Sequence, residues 1–110
     1  MFKNLEQLAR KIKKQKNKNP KVSYTASLFK KGKNFCIKKF MEEAKELAAS
    51  SKYSDKKSIV HEASDLLYHF LVLIEFKKIS NTSVMKELKK RQKLSGIQEK
   101  KNRKKNVRSK

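Results

Sequence analysis

The stretch Glu62-Ala63-Ser64-Asp65-Leu66-Leu67-Tyr68-His69-Phe70-Leu71-Val72-Leu73-Ile74 decides how this chain folds. Ile59, Ala63, Leu66, Leu67, Phe70 and Ile74 recur at helical spacing, and from Leu66 onward the predicted helix is apolar nearly all round. A helix with that pattern is buried on every side. In a single small domain one layer of partner helices cannot easily surround it, so a second subunit is expected to share the burial. The run from Leu66 to Ile74, interrupted by His69, is less than half of the roughly 20 residues that span a bilayer. It predicts a buried helix and no membrane span.

The same stretch carries acids. Projected at about 100° per residue, Glu62, Asp65 and His69 fall side by side, bordering Leu66 and Leu73 on the apolar side. A second acid cluster, Glu42-Glu43-x-x-Glu46, lies upstream, so five of the ten acidic residues sit in two short groups of a chain whose formal net charge is +21. On one helix face such carboxylates repel by a few tenths of a kcal/mol per pair. A carboxylate turned toward a core without a partner becomes neutral or recruits a cation. Two remedies are open: lysine pairing between helices, for which Lys38, Lys39 and Lys45 are at hand, or a metal ion. All-oxygen ligands suit a hard cation, Mg²⁺ first and Mn²⁺ as a substitute.

Working outward, the 110 residues make one domain. Two glycines and one proline are too few for the turns of an all-β or parallel α/β fold, so the fold class is all-α. Asn4 and Gln7 offer a capping box to a first helix with the stripe Leu5, Leu8, Ala9 and Ile12, which stops before Asn17, Asn19 and Pro20. Val22-Ser23-Tyr24-Thr25 is expected as a hydroxyl-rich loop. From about Ala26 a second helical stretch pauses at Gly32 and resumes through Phe35, Phe40, Ala44, Leu47 and Ala48. Ser54 or Asp55 caps the third helix, and Ser80-Asn81-Thr82 begins a fourth, with Val84, Met85 and Leu88. The expectation is a bundle of four main helices, completed by dimerisation, over residues 1–92. Residues 93–110 are expected to be a basic, flexible tail.

The charge invites a nucleic-acid reading. Yet 27 lysines stand against four arginines, scattered over the whole chain, whereas base readout and bidentate phosphate clamping favour arginine. General lysine enrichment competes with a polyanionic partner, which need only be a highly phosphorylated small molecule. Nucleic acid is therefore not the expected partner. The lone Cys36 predicts a small buried hydrophobe and, with no signal-peptide pattern in Met1 to Glu6, a reducing, cytoplasmic setting. Lys31-Gly32-Lys33 lacks the rest of a phosphate loop, and Ser23 and Thr25 have no nearby histidine base.

Taken together, Ser23-Tyr24-Thr25-Ala26-x-Leu28, Gly32, Lys39-x-x-Glu42-Glu43-Ala44-x-Glu46 and Glu62-Ala63-x-Asp65-Leu66-Leu67-Tyr68-His69-x-Leu71-Val72-Leu73 resemble the phosphoribosyl-ATP pyrophosphohydrolases of histidine biosynthesis. Those enzymes belong to the all-α, MazG-like nucleotide pyrophosphohydrolases, whose shared pattern is Glu-Glu-x-x-Glu, a spacer, then Glu-x-x-Asp. The resemblance extends to Ser95-Gly96-Ile97-x-Glu99-Lys100, and Met41 departs from the glycine that members often carry there. It implies Mg²⁺-dependent hydrolysis of 1-(5-phosphoribosyl)-ATP to 1-(5-phosphoribosyl)-AMP and pyrophosphate by a homodimer. Glu42, Glu43, Glu46, Glu62 and Asp65 would then be both metal ligands and catalytic residues. Ser23, Tyr24, Thr25, Lys31, Lys38 and Lys39 are the candidate substrate contacts, since hydroxyls, amides and ammonium groups suit phosphate oxygens. Two rivals remain: a house-cleaning nucleoside triphosphate pyrophosphohydrolase using the same acids, and a basic helical protein that binds nucleic acid.

Overall fold

The computed structural model describes residues 3–92, and those residues form five helices and no strand. The all-α expectation holds, and the stretch expected as one interrupted helix is two. In order they are α1 (Lys3–Gln15), α2 (Tyr24–Lys31), α3 (Lys33–Tyr53), α4 (Lys56–Glu75) and α5 (Asn81–Gln92). The basic segment 93–110 lies outside the described residues, as does the Ser95-to-Lys100 motif.

Local chemistry explains the boundaries. Asn4 lies inside α1 and does not cap it. The link to α2 folds on Asn19, whose side-chain Oδ1 accepts the Lys21 N–H at 2.9 Å and whose carbonyl accepts those of Val22 and Ser23. Ser23 is extended (φ −125°, ψ 116°) and its hydroxyl accepts the Ala26 N–H at 3.1 Å, an N-cap that pulls Tyr24 and Thr25 into the first turn of α2. The expected loop therefore ends one residue after Val22. Gly32 sits at φ 97°, ψ 170°, where side-chain-bearing residues are strained, and it serves both flanking helices. Its N–H reaches the Leu28 and Phe29 carbonyls that close α2, while its carbonyl accepts the Cys36 N–H that opens α3.

Only Ser54 and Asp55 separate α3 from α4, so the two run antiparallel and form the most extensive helix pair. Asp55 is the cap, accepting the Ser58 N–H at 2.9 Å, and those hydrogen bonds hold its carboxyl below the usual range. The end of α4 is a Schellman turn: the Ile79 N–H bonds to the Ile74 carbonyl and that of Lys78 to Glu75, with Lys78 left-handed at φ 55°. The core gathers Ile12 of α1, Leu28 of α2, Cys36 of α3 and Leu71 and Val72 of α4. Leu5, Leu8, Ala9, Phe70 and Ile74 pack round it, and Phe29 stacks on Phe76 with ring centroids 4.6 Å apart. Cys36 is the small buried hydrophobe expected, its thiol pushed up by burial.

A Cβ at Gly32 would meet no atom within 4 Å, so Gly32→Ala tests backbone strain alone. It should cost roughly 1–3 kcal/mol in denaturant unfolding. Leu71→Ala, which empties a side chain only 2% exposed, should cost about 2–5 kcal/mol.

Candidate active site

On α3 the three buried residues are Cys36, Glu43 and Ser50, each seven residues after the last, the spacing of a helix seam against one neighbour. A glutamate thus occupies the middle of a line that would ordinarily be apolar. Glu43 is 6% exposed, and across the hairpin it meets Glu62 and Asp65 of α4. One carboxylate oxygen from each of these three lies within 4.8 Å of the others. Glu43 Oε2 and Glu62 Oε2 are buried and have no hydrogen-bond partner. Buried carboxylate oxygens without a partner are costly unless a cation satisfies them.

The surrounding charges only partly relieve this. Lys39 lies one helical turn back, 3.7 Å from Glu43 Oε1 and 3.8 Å from Glu42 Oε2. Burial pulls its ammonium down, but Tyr24 and then Glu43, Glu42 and Glu46 more than offset this, so its pKa is raised. The Glu43 carboxyl is pushed up, first by burial and then by the neighbouring Glu46, against the pull of Lys39. His69, 6% exposed, has Nε2 3.9 Å from Glu43 Oε1, and burial together with Lys39 lowers its pKa, so it adds no cation at neutral pH. His61 Nε2 stands 3.3 Å from Asp65 Oδ2 on the exposed side of α4. Among the described residues no lysine or arginine reaches Glu62 or Asp65. Lysine pairing between the helices, the alternative to a cation, is not what the hairpin contains.

The remaining expected residues divide. Glu46 is exposed and lies against Glu43, outside the cluster of three; Glu42 is half-exposed and turned toward Lys39. The Ser23 hydroxyl is committed to capping α2. Thr25 Oγ1 hydrogen-bonds the Tyr68 hydroxyl at 2.6 Å, and the exposed Tyr24 ring stacks on Tyr68 at 6.2 Å. Lys31 sits over the Phe35 ring, 4.8 Å from its centre, and Lys38 points to solvent. Met41, the departure from the motif, is 56% exposed and removes nothing from the carboxylates. Tyr68, missed as a site residue, joins α4 to the start of α2 and borders His69 edge-on at 5.1 Å. Its signal was a hydroxyl on a nearly apolar helix, which needs a partner when buried.

Comparison with known proteins covers the same five helices. Residues 5–92 match the profile of the family described as phosphoribosyl-ATP pyrophosphohydrolase. The chain is 50% identical over 86 residues to the histidine biosynthesis bifunctional protein HisIE of Wolinella succinogenes, covering 78% of this chain and 38% of that protein. Against the Helicobacter hepaticus protein of the same name the chain spans 43% of the relative's length. With the phosphoribosyl-ATP pyrophosphatase of Rhodobacter capsulatus it shares 40% identity over 96 residues, 87% of this chain and 93% of that protein. A chain whose match runs from α1 through α5, and whose paired helices turn the acids of both motifs toward one another, belongs to the phosphoribosyl-ATP pyrophosphohydrolase family.

Proposed function

We propose that this chain hydrolyses 1-(5-phosphoribosyl)-ATP to 1-(5-phosphoribosyl)-AMP and pyrophosphate, the second step of histidine biosynthesis. The observation that carries the reading is the Glu43, Glu62 and Asp65 cluster where α3 meets α4, with Glu43 buried and the other two half-buried. The names of the relatives that the chain spans almost end to end support the choice of substrate.

The cluster suits Mg²⁺, with Mn²⁺ as a substitute. Its donors are all carboxylate oxygens, and two of them have no other partner. Glu43, Glu62 and Asp65 would hold the ion, with Glu46 and Glu42 at its edge. Bound there, it would supply charge to the triphosphate and acidify a water. The protein side chains do the rest. Glu46, beside Glu43 but outside the three, has lone pairs left to take the proton of the attacking water. Lys39, held charged by the acids around it, offers an ammonium to a phosphate oxygen. The exposed Tyr24 ring, braced by Tyr68 and the Thr25 hydroxyl, offers a surface beside Lys39 for the ribose or base. Lys31, Lys38 and the backbone around Ser23 are outer contacts for the same substrate.

A homodimer belongs to this reading. Ile37 and Met41 on α3 are 38% and 56% exposed, and Val60 and Leu67 on α4 are 65% and 45% exposed. Each pair recurs at helical spacing, which gives the hairpin an apolar outer side for a second copy. No helix among the described residues is long and apolar enough to cross a membrane. A cytoplasmic location goes with the pathway and with the single, buried thiol.

Pyrophosphate release from phosphoribosyl-ATP should exceed that from dUTP, stop in EDTA, and fall more than about 100-fold in Glu43→Gln and Asp65→Asn. Full activity in EDTA or in both variants would overturn the assignment. Because Glu43 keeps its proton to higher pH in the fold than in the unfolded chain, metal-free stability should fall as pH rises from the ordinary carboxylate range through its raised pKa. Glu43→Gln should remove that slope in thermal melts, and Mg²⁺ should raise the melting point more at about pH 8 than at about pH 5. Leu67→Glu should shift the protein from dimer to monomer in sedimentation equilibrium.

A further inference from the structure

A second cleft opens between α1, the C-terminal end of α4 and the start of α5. Its volume is about 470 Å³, within the roughly 300–1,000 Å³ typical of small-ligand sites. Asp65 and Glu75 lie on the same helix, and its rise puts the cleft about 15 Å along the axis from the carboxylate cluster. Ala9, Leu71, Ile74 and Ile79 supply an apolar floor. Arg10, Lys13, Lys16 and Lys78 line the walls, facing only Glu6 and Glu75. Lys16 is bound to Glu75 at 2.5 Å, which neutralises that carboxylate. Arg10, Lys13 and Lys78 pair with no acid among the described residues. Lys78 also holds a left-handed backbone position that glycine would occupy without strain.

The cleft ends at the N-terminus of α5, where Ser80, Asn81 and Thr82 line it. Ser80 takes the Ser83 N–H, leaving those of Asn81 and Thr82 without an acceptor in the helix. Asn81 is the independent sign. Its side chain is 3% exposed, and neither the amide oxygen nor the nitrogen has a partner. Buried amides are ordinarily paired; both polar atoms of this one are sealed from solvent beside the cleft, so a small turn of the Asn81 side chain is what brings it to a ligand there. A helix N-terminus, an unpaired amide and cations above an apolar floor together make a receptor for an anion with an apolar body.

We infer that this cleft is a second ligand site, taking a small phosphorylated molecule that carries a ring. The phosphate sits at the start of α5, receiving the Asn81 amide and the free N–H groups, with Arg10 and Lys13 beside it. The ring lies on Ala9, Leu71, Ile74 and Ile79. Nothing in this site depends on the reaction at the carboxylates.

The test is an NMR titration of the full chain in EDTA and moderate salt with AMP, inorganic phosphate and adenosine. AMP should give saturable shifts of the Asn81 side-chain amide and the Thr82 and Ser83 N–H groups, with Kd at or below about 1 mM. Phosphate and adenosine should each bind at least about tenfold more weakly, since each has half of the ligand. Asn81→Asp, compared below the melting transition of both proteins, should weaken AMP more than about tenfold, because the acid repels the anion, and its buried carboxylate should lower the melting point. Lys13→Glu should weaken it likewise, and Glu46→Gln should leave it unchanged. Shifts confined to the α3–α4 carboxylates would overturn the site, as would an Asn81→Asp variant that binds AMP normally. Phosphate binding as tightly as AMP would overturn the two-part ligand. Cleft resonances that move with protein concentration alone would show that a second copy fills the cleft, and would also overturn it.

Discussion

The pairing of α3 with α4 forces Glu43 toward Glu62 and Asp65, and much of the structure follows from that confinement. Seven-residue spacing along α3 turns Cys36, Glu43 and Ser50 inward together. The outer two are small enough to let the helices approach; the central one is charged. Moving Glu43 outward would require rotating the whole helix and would expose Cys36, which is 2% exposed and part of the core. Apolar packing at one end of the hairpin therefore holds carboxylates together at its middle. Coulomb repulsion between them is borne by the burial of Leu71, Val72 and their neighbours.

The smaller helices act as braces. α2 is closed at both ends by local hydrogen bonds, at Ser23 and at Gly32, which fixes Thr25 against Tyr68. That contact ties the face of α4 bearing the acids to an element outside the hairpin, and it sets the Tyr24 ring close to Lys39. α1 packs across α4, and its Ile12 seals the core. The hydroxyl-rich motif thus works as structure, and of its three side chains the Tyr24 ring is the one left exposed.

Much of this was legible in the residues. Scarce glycine and proline, together with 3.6-residue apolar spacing, identify an all-α chain, and the Glu-x-x-Asp pair on an almost wholly apolar helix points to acids off the solvated face, where the structure leaves Glu62 and Asp65 half-buried. Asp55 was one of two caps foreseen, and the geometry selects it because its carboxylate reaches the Ser58 N–H. What sequence could not separate was Glu42 from Glu43. Neighbours on a helix differ by about 100° in direction, and only contact with α4 decides which one turns inward. Hydroxyl-rich composition suggests a loop for the Ser-Tyr-Thr segment, and the Ser23 cap instead draws Tyr24 and Thr25 into α2. The cleft beneath α5 had no sequence signal, since it joins residues from α1, α4 and α5 that are far apart in the chain.

The two-residue link between α3 and α4 has a further consequence. All five acids of the family pattern lie within one helical hairpin, so the carboxylate cluster is assembled from local contacts and needs no distant segment to close a loop. A carboxylate cluster contained in one supersecondary unit is modular, able to be carried within a longer chain without being rebuilt. The relatives named bifunctional are longer chains, of which this one spans less than half.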